Sequence, residues 1–408
     1  MQKDRAEKMM RKAIETVPYY RNKAEMFLMS NGCDECKFES FPKLEKADLQ
    51  NLSAELIADD YNNQKRKQLF VERTSGSTGK FTNIYWARDD FYKSNLVLWR
   101  LRKKWYGITP ASRCASFNAF TYSGSRLYRP EQIDYNISQS ALYLSKFALS
   151  DGGIEECVKR MVEFRPEWMM VQTSVLLRIT EYLKREGILL PSLRYIELNG
   201  EMVTKSNHEY FDDFYRIPIA NMYGATECNA IAYECPVHRM HILEDNVYLE
   251  MDENNKPLIT SLYNTAMPII KYDILDDIEF CEEEECICGL RSSYVNKIKG
   301  RNTDRVYINS DEYVSPYIFI FCIEKTNELM RNPILQFRII QVDFNRITLQ
   351  LVVKNEFLNW KEAIADELRK NLKQNCDALD FLYDVVFVDQ FTDSDKTKFK
   401  FFENRIGR

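Results

Sequence analysis

At 408 residues the chain is too long for one ordinary core, and two or three structural units are expected. Hydrophobic residues make up 45% and charged residues 29%, ordinary proportions for a soluble globular protein, and a net charge of -5 argues against a general nucleic-acid binder, which needs a basic surface. No stretch approaches the ~18 apolar residues of a membrane span, the charged amino terminus lacks an apolar signal core, and eleven scattered cysteines suit reduced thiols. A cytoplasmic protein without a membrane span is expected.

In chain order, the first ~70 residues read mostly as helix, because Met9, Met10, Ala13, Ile14 and Val17 recur at helical spacing until Pro18 stops the run. A strand end at Phe70-Val71 leads into a Ser/Thr/Gly loop. Between 150 and 220 the pattern alternates: helix Gly152–Phe164, strand Trp168–Val171, helix Ser174–Arg185, strand Tyr195–Leu198, helix Thr204–Phe214. Such alternation predicts a parallel sheet with helices on its faces. From Val247 to Tyr272 the texture is β-like, with turn chemistry at Asp252–Asn255. The last ~100 residues read as a small α+β unit: strands Leu335–Val342, Ile347–Val353 and Val385–Val388, with a helix from Trp360 to Leu372. The boundary falls near Asp304.

The loop Thr74-Ser75-Gly76-Ser77-Thr78-Gly79-Lys80 combines two glycines, several hydroxyls and a lysine. Successive N–H groups in such a loop can hold an anion. It is not a Walker A loop, because Thr74 and Phe81 stand where that motif needs Gly and Ser/Thr. Taken alone, a loop rich in Gly, Ser and Thr is more often a flexible turn.

Four further segments follow in order: Tyr223-Gly224-Ala225-Thr226-Glu227, Tyr272-Asp273-Ile274-Leu275-Asp276 after MPIIK, Gly300-Arg301-Asn302-Thr303-Asp304, and the lysine-rich SDKTKFKFF near the carboxyl end. With TSGSTGK they resemble the signature series of the adenylate-forming superfamily of acyl-CoA ligases and adenylation domains. Within it, VPYYR, FPKLEKADL and MPIIKYD are most similar to the phenylacetate–CoA ligase branch and its CapK-like capsular-polysaccharide relatives.

The resemblance implies an α/β fold: a large N-terminal adenylate-forming domain (1–303) with mixed sheets and flanking helices, and a small mobile C-terminal α+β domain (304–408). It implies that Ser75, Gly76, Thr78, Gly79 and Lys80 wrap the ATP phosphates. Tyr223 would stack on adenine beside Gly224, Thr226 bond the α-phosphate, and Glu227 hold Mg²⁺, whose hardness suits carboxylate oxygen. The backbone of Gly200-Glu201 would flank the adenine and Asp276 bind the ribose hydroxyls, with Asp273 and Asp277 as neighbouring alternatives. Arg301 would contact the ribose–phosphate side, and Asp304 would be the hinge. The catalytic lysine maps to Lys398, with Lys396 and Lys400 as alternatives. The family pattern is not met everywhere, since Phe81 and Thr397 stand where Pro and Gly are usual.

Two of the three histidines, His238 and His241, closely follow Cys235, and Cys286-Ile287-Cys288-Gly289 lies further on. Thiolate and imidazole in two short clusters suit tetrahedral zinc. Cys235, His241, Cys286 and Cys288 are the expected ligands of a closed structural site, with His238 as a substitute and Cys281 as an outsider. Unrelated buried cysteines beside a surface histidine are the alternative. Cys33 and Cys36 form a C-x-x-C without a partner pair.

The expected chemistry is ATP-dependent activation of a carboxylic acid to an acyl-adenylate, followed by transfer to coenzyme A or another acceptor. Residues 116–126 and residues near Leu198–Glu201 would line the acid pocket, where Tyr122 and Arg126, with Arg129 beyond them, hint at a more polar or anionic acid. A homodimer is a candidate assembly. The rivals are adenylyl transfer to a hydroxyl-bearing acceptor and a catalytically inactive nucleotide-binding homologue.

Overall fold

The computed structural model describes residues 2–31, 36–61, 66, 68–73, 82–118, 140–145, 153–301, 304–376, 379, 381–391 and 399–406, with backbone alone at 73, 118, 145, 283 and 284. In chain order the elements are α1 (Gln2–Thr16), α2 (Pro18–Asn31), α3 (Lys46–Asn51), β1 (Phe70–Arg73), β2 (Asn83–Trp86), α4 (Arg88–Tyr106), β3 (Cys114–Asn118), β4 (Ala141–Ser145), α5 (Gly153–Phe164), β5 (Trp168–Val171), α6 (Thr173–Glu186), β6 (Tyr195–Asn199), α7 (Lys205–Tyr215) and β7 (Ile219–Ala225). They continue with β8 (Asn229–Glu234), β9 (Met240–Ile242), β10 (Val247–Met251), β11 (Pro257–Ser261), β12 (Tyr272–Asp273), β13 (Asp276–Glu285), β14 (Arg291–Arg301), β15 (Val306–Tyr307) and β16 (Tyr313–Val314). Last come α8 (Tyr317–Leu329), β17 (Ile334–Asp343), β18 (Arg346–Val353), α9 (Lys361–Cys376), β19 (Leu382–Phe387) and β20 (Phe402–Asn404). Two compact units result, Met1–Thr109 with Ala220–Ile298 and Pro110–Ile219 with Lys299–Arg408.

In the first unit, Ala6, Met9, Met10 and Ala13 form the buried stripe of α1. Pro18 does more than stop that helix. It opens α2 as its first residue, where the missing N–H would lack an intrahelical partner anyway and the ring's φ suits a helix. Strands β13-β14-β9-β8-β7 lie side by side, and β10-β11-β12 form a three-stranded sheet. The Asp252–Asn255 turn forms as expected: Asp252 Oδ1 accepts from the N–H groups of Asn254 and Lys256, both at 2.8 Å. Leu44 adds a bridge beside Tyr272, donating its N–H to Lys271 O (3.1 Å) and accepting from Asp273 N (3.0 Å). The FPKLEKADL segment is thereby stitched to MPIIKYD, more than 200 residues away.

The second unit holds the predicted parallel array. Strands β6-β5-β3-β4 pair in parallel, with apolar faces of α5, α6 and α7 packed over Ala115, Leu142, Met169 and Ile196. The terminal α+β layer is also present. Strands β19-β18-β17-β20 carry α8 and α9, and Phe319, Ile323, Ile339, Leu349, Leu351, Ile364 and Leu368 bury together. Its helix starts at Lys361, one residue after the expected Trp360, and ends at Cys376.

Candidate nucleotide site and metal centre

Strands β7 and β8 form an antiparallel hairpin whose tip carries Thr226 and Glu227. Cys228 N donates to Ala225 O (3.0 Å), Asn229 takes a positive φ of 60°, and Asn246 Nδ2 clamps the return strand through Cys228 O and Ala230 O. The register slips between Tyr223 and Gly224, and a Cβ on Gly224 would lie 2.6 Å from Asn229 O. Backbone meets backbone there, so only glycine fits without moving the hairpin.

The YDILD segment approaches the same tip. Asp273 is buried and caps its own turn by accepting from Leu275 N at 2.9 Å, while Leu275 itself has φ 59°. Asp276, at the head of β13, instead accepts a hydrogen bond from the Tyr223 hydroxyl at 2.6 Å. That pairing sets Asp276 apart from the alternative Asp273. Glu227 Oε1 accepts from the Tyr272 hydroxyl at 2.9 Å. Burial raises the Glu227 pKa, the negative charge of Asp276 adds to the rise, and the Tyr272 bond and the Lys46 charge oppose it. Two carboxylates close enough to influence each other are a donor set suited to a hard divalent cation.

In the second unit, Gly200 and Glu201 follow β6 as predicted. The Glu201 carboxylate accepts from Ser174 N (2.9 Å) and Ser174 Oγ (3.0 Å), capping the start of α6. A cavity of about 40 Å³ opens beside this cap, lined by Thr173, Ser174, Glu201, Thr204, Phe399 and Phe401 among others. Arg301 ends β14, and its carbonyl accepts from Asp304 N at 3.0 Å. Lys400 is exposed, and its carbonyl accepts from Arg338 Nε at 3.2 Å. Ser75, Gly76, Thr78, Gly79, Lys80, Lys396 and Lys398 lie outside the described residues, as do Cys33, Tyr122, Arg126 and Arg129.

Cys235, His241, Cys286 and Cys288 converge in the first unit, with their ligand atoms all within 4.8 Å of one another. Two turns of the same backbone design supply the cysteines. In each, the N–H of the first residue bonds the carbonyl of the fifth, and the N–H of the fourth bonds the carbonyl of the first. The pairs are Cys235 with Arg239 and His238, then Cys286 with Leu290 and Gly289, all at 2.9 Å. The fourth residue has positive φ in both, 59° at His238 and 82° at Gly289, which explains the glycine. Burial raises the Cys235 and Cys288 thiols, opposed by the backbone N–H groups of Val237 and Arg239 at Cys235 and of Leu290 at Cys288, while the N–H of Cys288 and the neighbouring thiols bring Cys286 below its ordinary value against its burial.

The histidine is equally prepared. Ser292 Oγ donates to Ser293 O (3.0 Å), so at 2.8 Å it accepts from His241 Nδ1–H. That leaves the Nε2 lone pair directed at the sulfurs, 3.3 Å from Cys288 Sγ. Burial, helped by the charges of Arg239 and Lys104, lowers the His241 pKa to about 4. These four residues fit a tetrahedral thiophilic ion. His238 does not substitute: its ring is engaged with Glu234 (Nδ1···Oε1 2.8 Å) and largely exposed. Cys281 is half-buried on β13, outside the cluster.

Sequence reasoning missed Ser292, Ser174 and Tyr272 as supports of these sites. Tyr272 lies inside the YDILD segment, and Ser174 opens the helix expected from the sequence. Nothing in the spacing marked Ser292.

No family model matches the chain. Its fold is that of adenylate-forming CoA ligases, and its sequence is similar to two curated proteins. The chain is 22% identical over 341 residues to protein CapK of Staphylococcus aureus, covering 81% of this chain and 72% of that protein. It is 24% identical over 301 residues to the phenylacetate-coenzyme A ligase of Escherichia coli (strain K12), covering 68% of this chain and 65% of that enzyme. Among solved structures, 2-hydroxyisobutyryl-CoA ligase in complex with 2-HIB-AMP superposes with a TM-score of 0.75 at 18% identity, covering 98% of this chain and 88% of that one. The anthranilate CoA ligase AuaEII in complex with anthranoyl-AMP gives 0.56 at 13% identity, covering 80% and 65%. Among the described residues no helix is long and apolar enough to cross a membrane.

Proposed function

We propose that this chain uses ATP to activate a carboxylic acid as its acyl-adenylate and passes the acyl group to coenzyme A or another nucleophile. The supporting observation is the 2.6 Å bond between Tyr223 and Asp276. It brings together two motifs 53 residues apart in sequence, which the resemblance assigns to the adenine and ribose ends of one nucleotide. Relatives of similar fold hold acyl-AMP molecules.

In the first step a carboxylate oxygen attacks the α-phosphorus, the bond to the β-phosphate oxygen breaks, and pyrophosphate leaves. Tyr223 and Asp276 bind and orient the adenosine, Thr226 donates to the α-phosphate, and Lys398 and Lys80 supply positive charge where negative charge grows. Glu227 would hold magnesium, which neutralises phosphate charge. In the second step the acceptor attacks the acyl carbon and AMP leaves. The catalytic domains are 1–303 and 304–408, with Asp304 as the hinge. Cys235, His241, Cys286 and Cys288 hold a structural zinc with no coordination position left open.

The test is acid-dependent pyrophosphate release across a panel of carboxylic acids, with and without coenzyme A. One or more acids should stimulate release, and Lys398→Ala and Glu227→Ala should each lower it at least about 100-fold. ATP binding without release for every acid would overturn the reading in favour of an inactive homologue. A stable AMP adduct on a hydroxyl acceptor would favour adenylyl transfer.

A further inference from the structure

The phenol of Tyr272 is held unusually firmly for a side chain so near a charged site. The residue is 3% exposed, pairs with Ile259 across β11, and is bridged on its other side by Leu44. Lys271 before it has φ 48°, and its ammonium is locked to Phe38 O (3.1 Å), Glu39 O (2.7 Å) and Glu250 (3.2 Å). With backbone and ring fixed, the hydroxyl has little freedom, and it donates to Glu227 Oε1 at 2.9 Å.

A carboxylate has two oxygens, and a donor bound to one restricts how the other is presented. We propose that Tyr272 is a positioning residue: by occupying Oε1 it holds Glu227 so that Oε2 faces the divalent cation of the bound nucleotide. This rests on the reading that Glu227 holds magnesium. A purely structural tyrosine would sit in the same core, and its hydroxyl would take the nearest acceptor without any consequence for the cation.

The two cases separate by Mn²⁺ binding. Electron paramagnetic resonance would count unbound Mn²⁺ over protein saturated with a non-hydrolysable ATP analogue. Wild type, Tyr272→Phe and Glu227→Gln are compared at about pH 8.5, where an ordinary carboxylate is ionised. Tyr272→Phe removes one oxygen and keeps the ring, and its melting temperature reports whether the core survives. The expected result is Mn²⁺ affinity roughly tenfold weaker in Tyr272→Phe, the scale of one hydrogen bond to a charged group. Analogue binding without metal should be unchanged, and Glu227→Gln should weaken Mn²⁺ further. Wild-type Mn²⁺ affinity in Tyr272→Phe beside a weakened Glu227→Gln would overturn the positioning role alone. Unchanged affinity in Glu227→Gln would overturn the magnesium reading and the inference with it.

Discussion

Gly224 shows how one residue can be required by two demands at once. Its neighbours Tyr223 and Thr226 are proposed to face the nucleotide, while Asn229 O stands where a Cβ would go, at 2.6 Å. Backbone carbonyls do not swing aside as side-chain tips do, so Gly224→Ala must displace the hairpin. The expected outcome is a loss of about 1–3 kcal/mol in denaturant unfolding, with weakened AMP binding by calorimetry. Wild-type stability together with wild-type AMP affinity would contradict the close approach. The Tyr223–Asp276 bond makes a second prediction. Tyr223→Phe and Asp276→Asn should each weaken AMP binding, and the double variant should lose less than the sum, because both remove one interaction. Strict additivity would mean that the bond is not maintained in the complex. The motif letters at both positions were visible in the sequence, but their mutual contact was not. Neither composition nor spacing says that a tyrosine hydroxyl meets an aspartate 53 positions later.

At the scale of elements, the paired cysteine turns form the clearest device. Their spacing, C-P-V-H-R and C-I-C-G-L, was open to view, yet only the pairing of β14 with β9, Tyr294 opposite His241, brings them to one point. In the metal-free protein the buried, neutral His241 has a pKa of about 4, against an ordinary 6.5. Its folded pKa is depressed, so the unfolded chain binds more protons between those values. Stability should therefore fall as pH drops from 6.5 towards 4, and His241→Asn should flatten that dependence, measured by denaturant midpoints of chelator-treated protein. An unaltered slope in His241→Asn would refute this source of acid sensitivity. Adding Zn²⁺ to treated wild type should raise the midpoint, whereas Cys288→Ser should respond far less, because binding energy to a folded-state site is folding energy. Equal responses would place the ion elsewhere. Pro18 illustrates the limits of local reading. Its ring ended α1 as expected, but whether it also began another helix depended on Tyr19, Tyr20 and Ala24 finding a core to enter.

For the molecule as a whole, the alternation of strand and helix between 150 and 220 announced a parallel array, and β3 to β6 form one. The terminal α+β layer was equally legible, because period-two apolar strands and an amphipathic helix carry their pattern within a dozen residues. Acid-dependent pyrophosphate release is the prediction that belongs to this scale, since the proposed step draws on residues as far apart in the chain as Lys80 and Lys398.

By itself, the sequence determined the local periods, the turn chemistry and the residue types of each motif, because these depend on neighbours within a few positions. Only the tertiary structure decided that Leu44 would lie beside Tyr272, that Tyr272 would reach Glu227, and that Ser292 would orient His241. Those contacts join positions 45 to 228 residues apart, as 44 to 272, 227 to 272 and 241 to 292 show. They arise from strand register and shared burial, which no short window of sequence encodes.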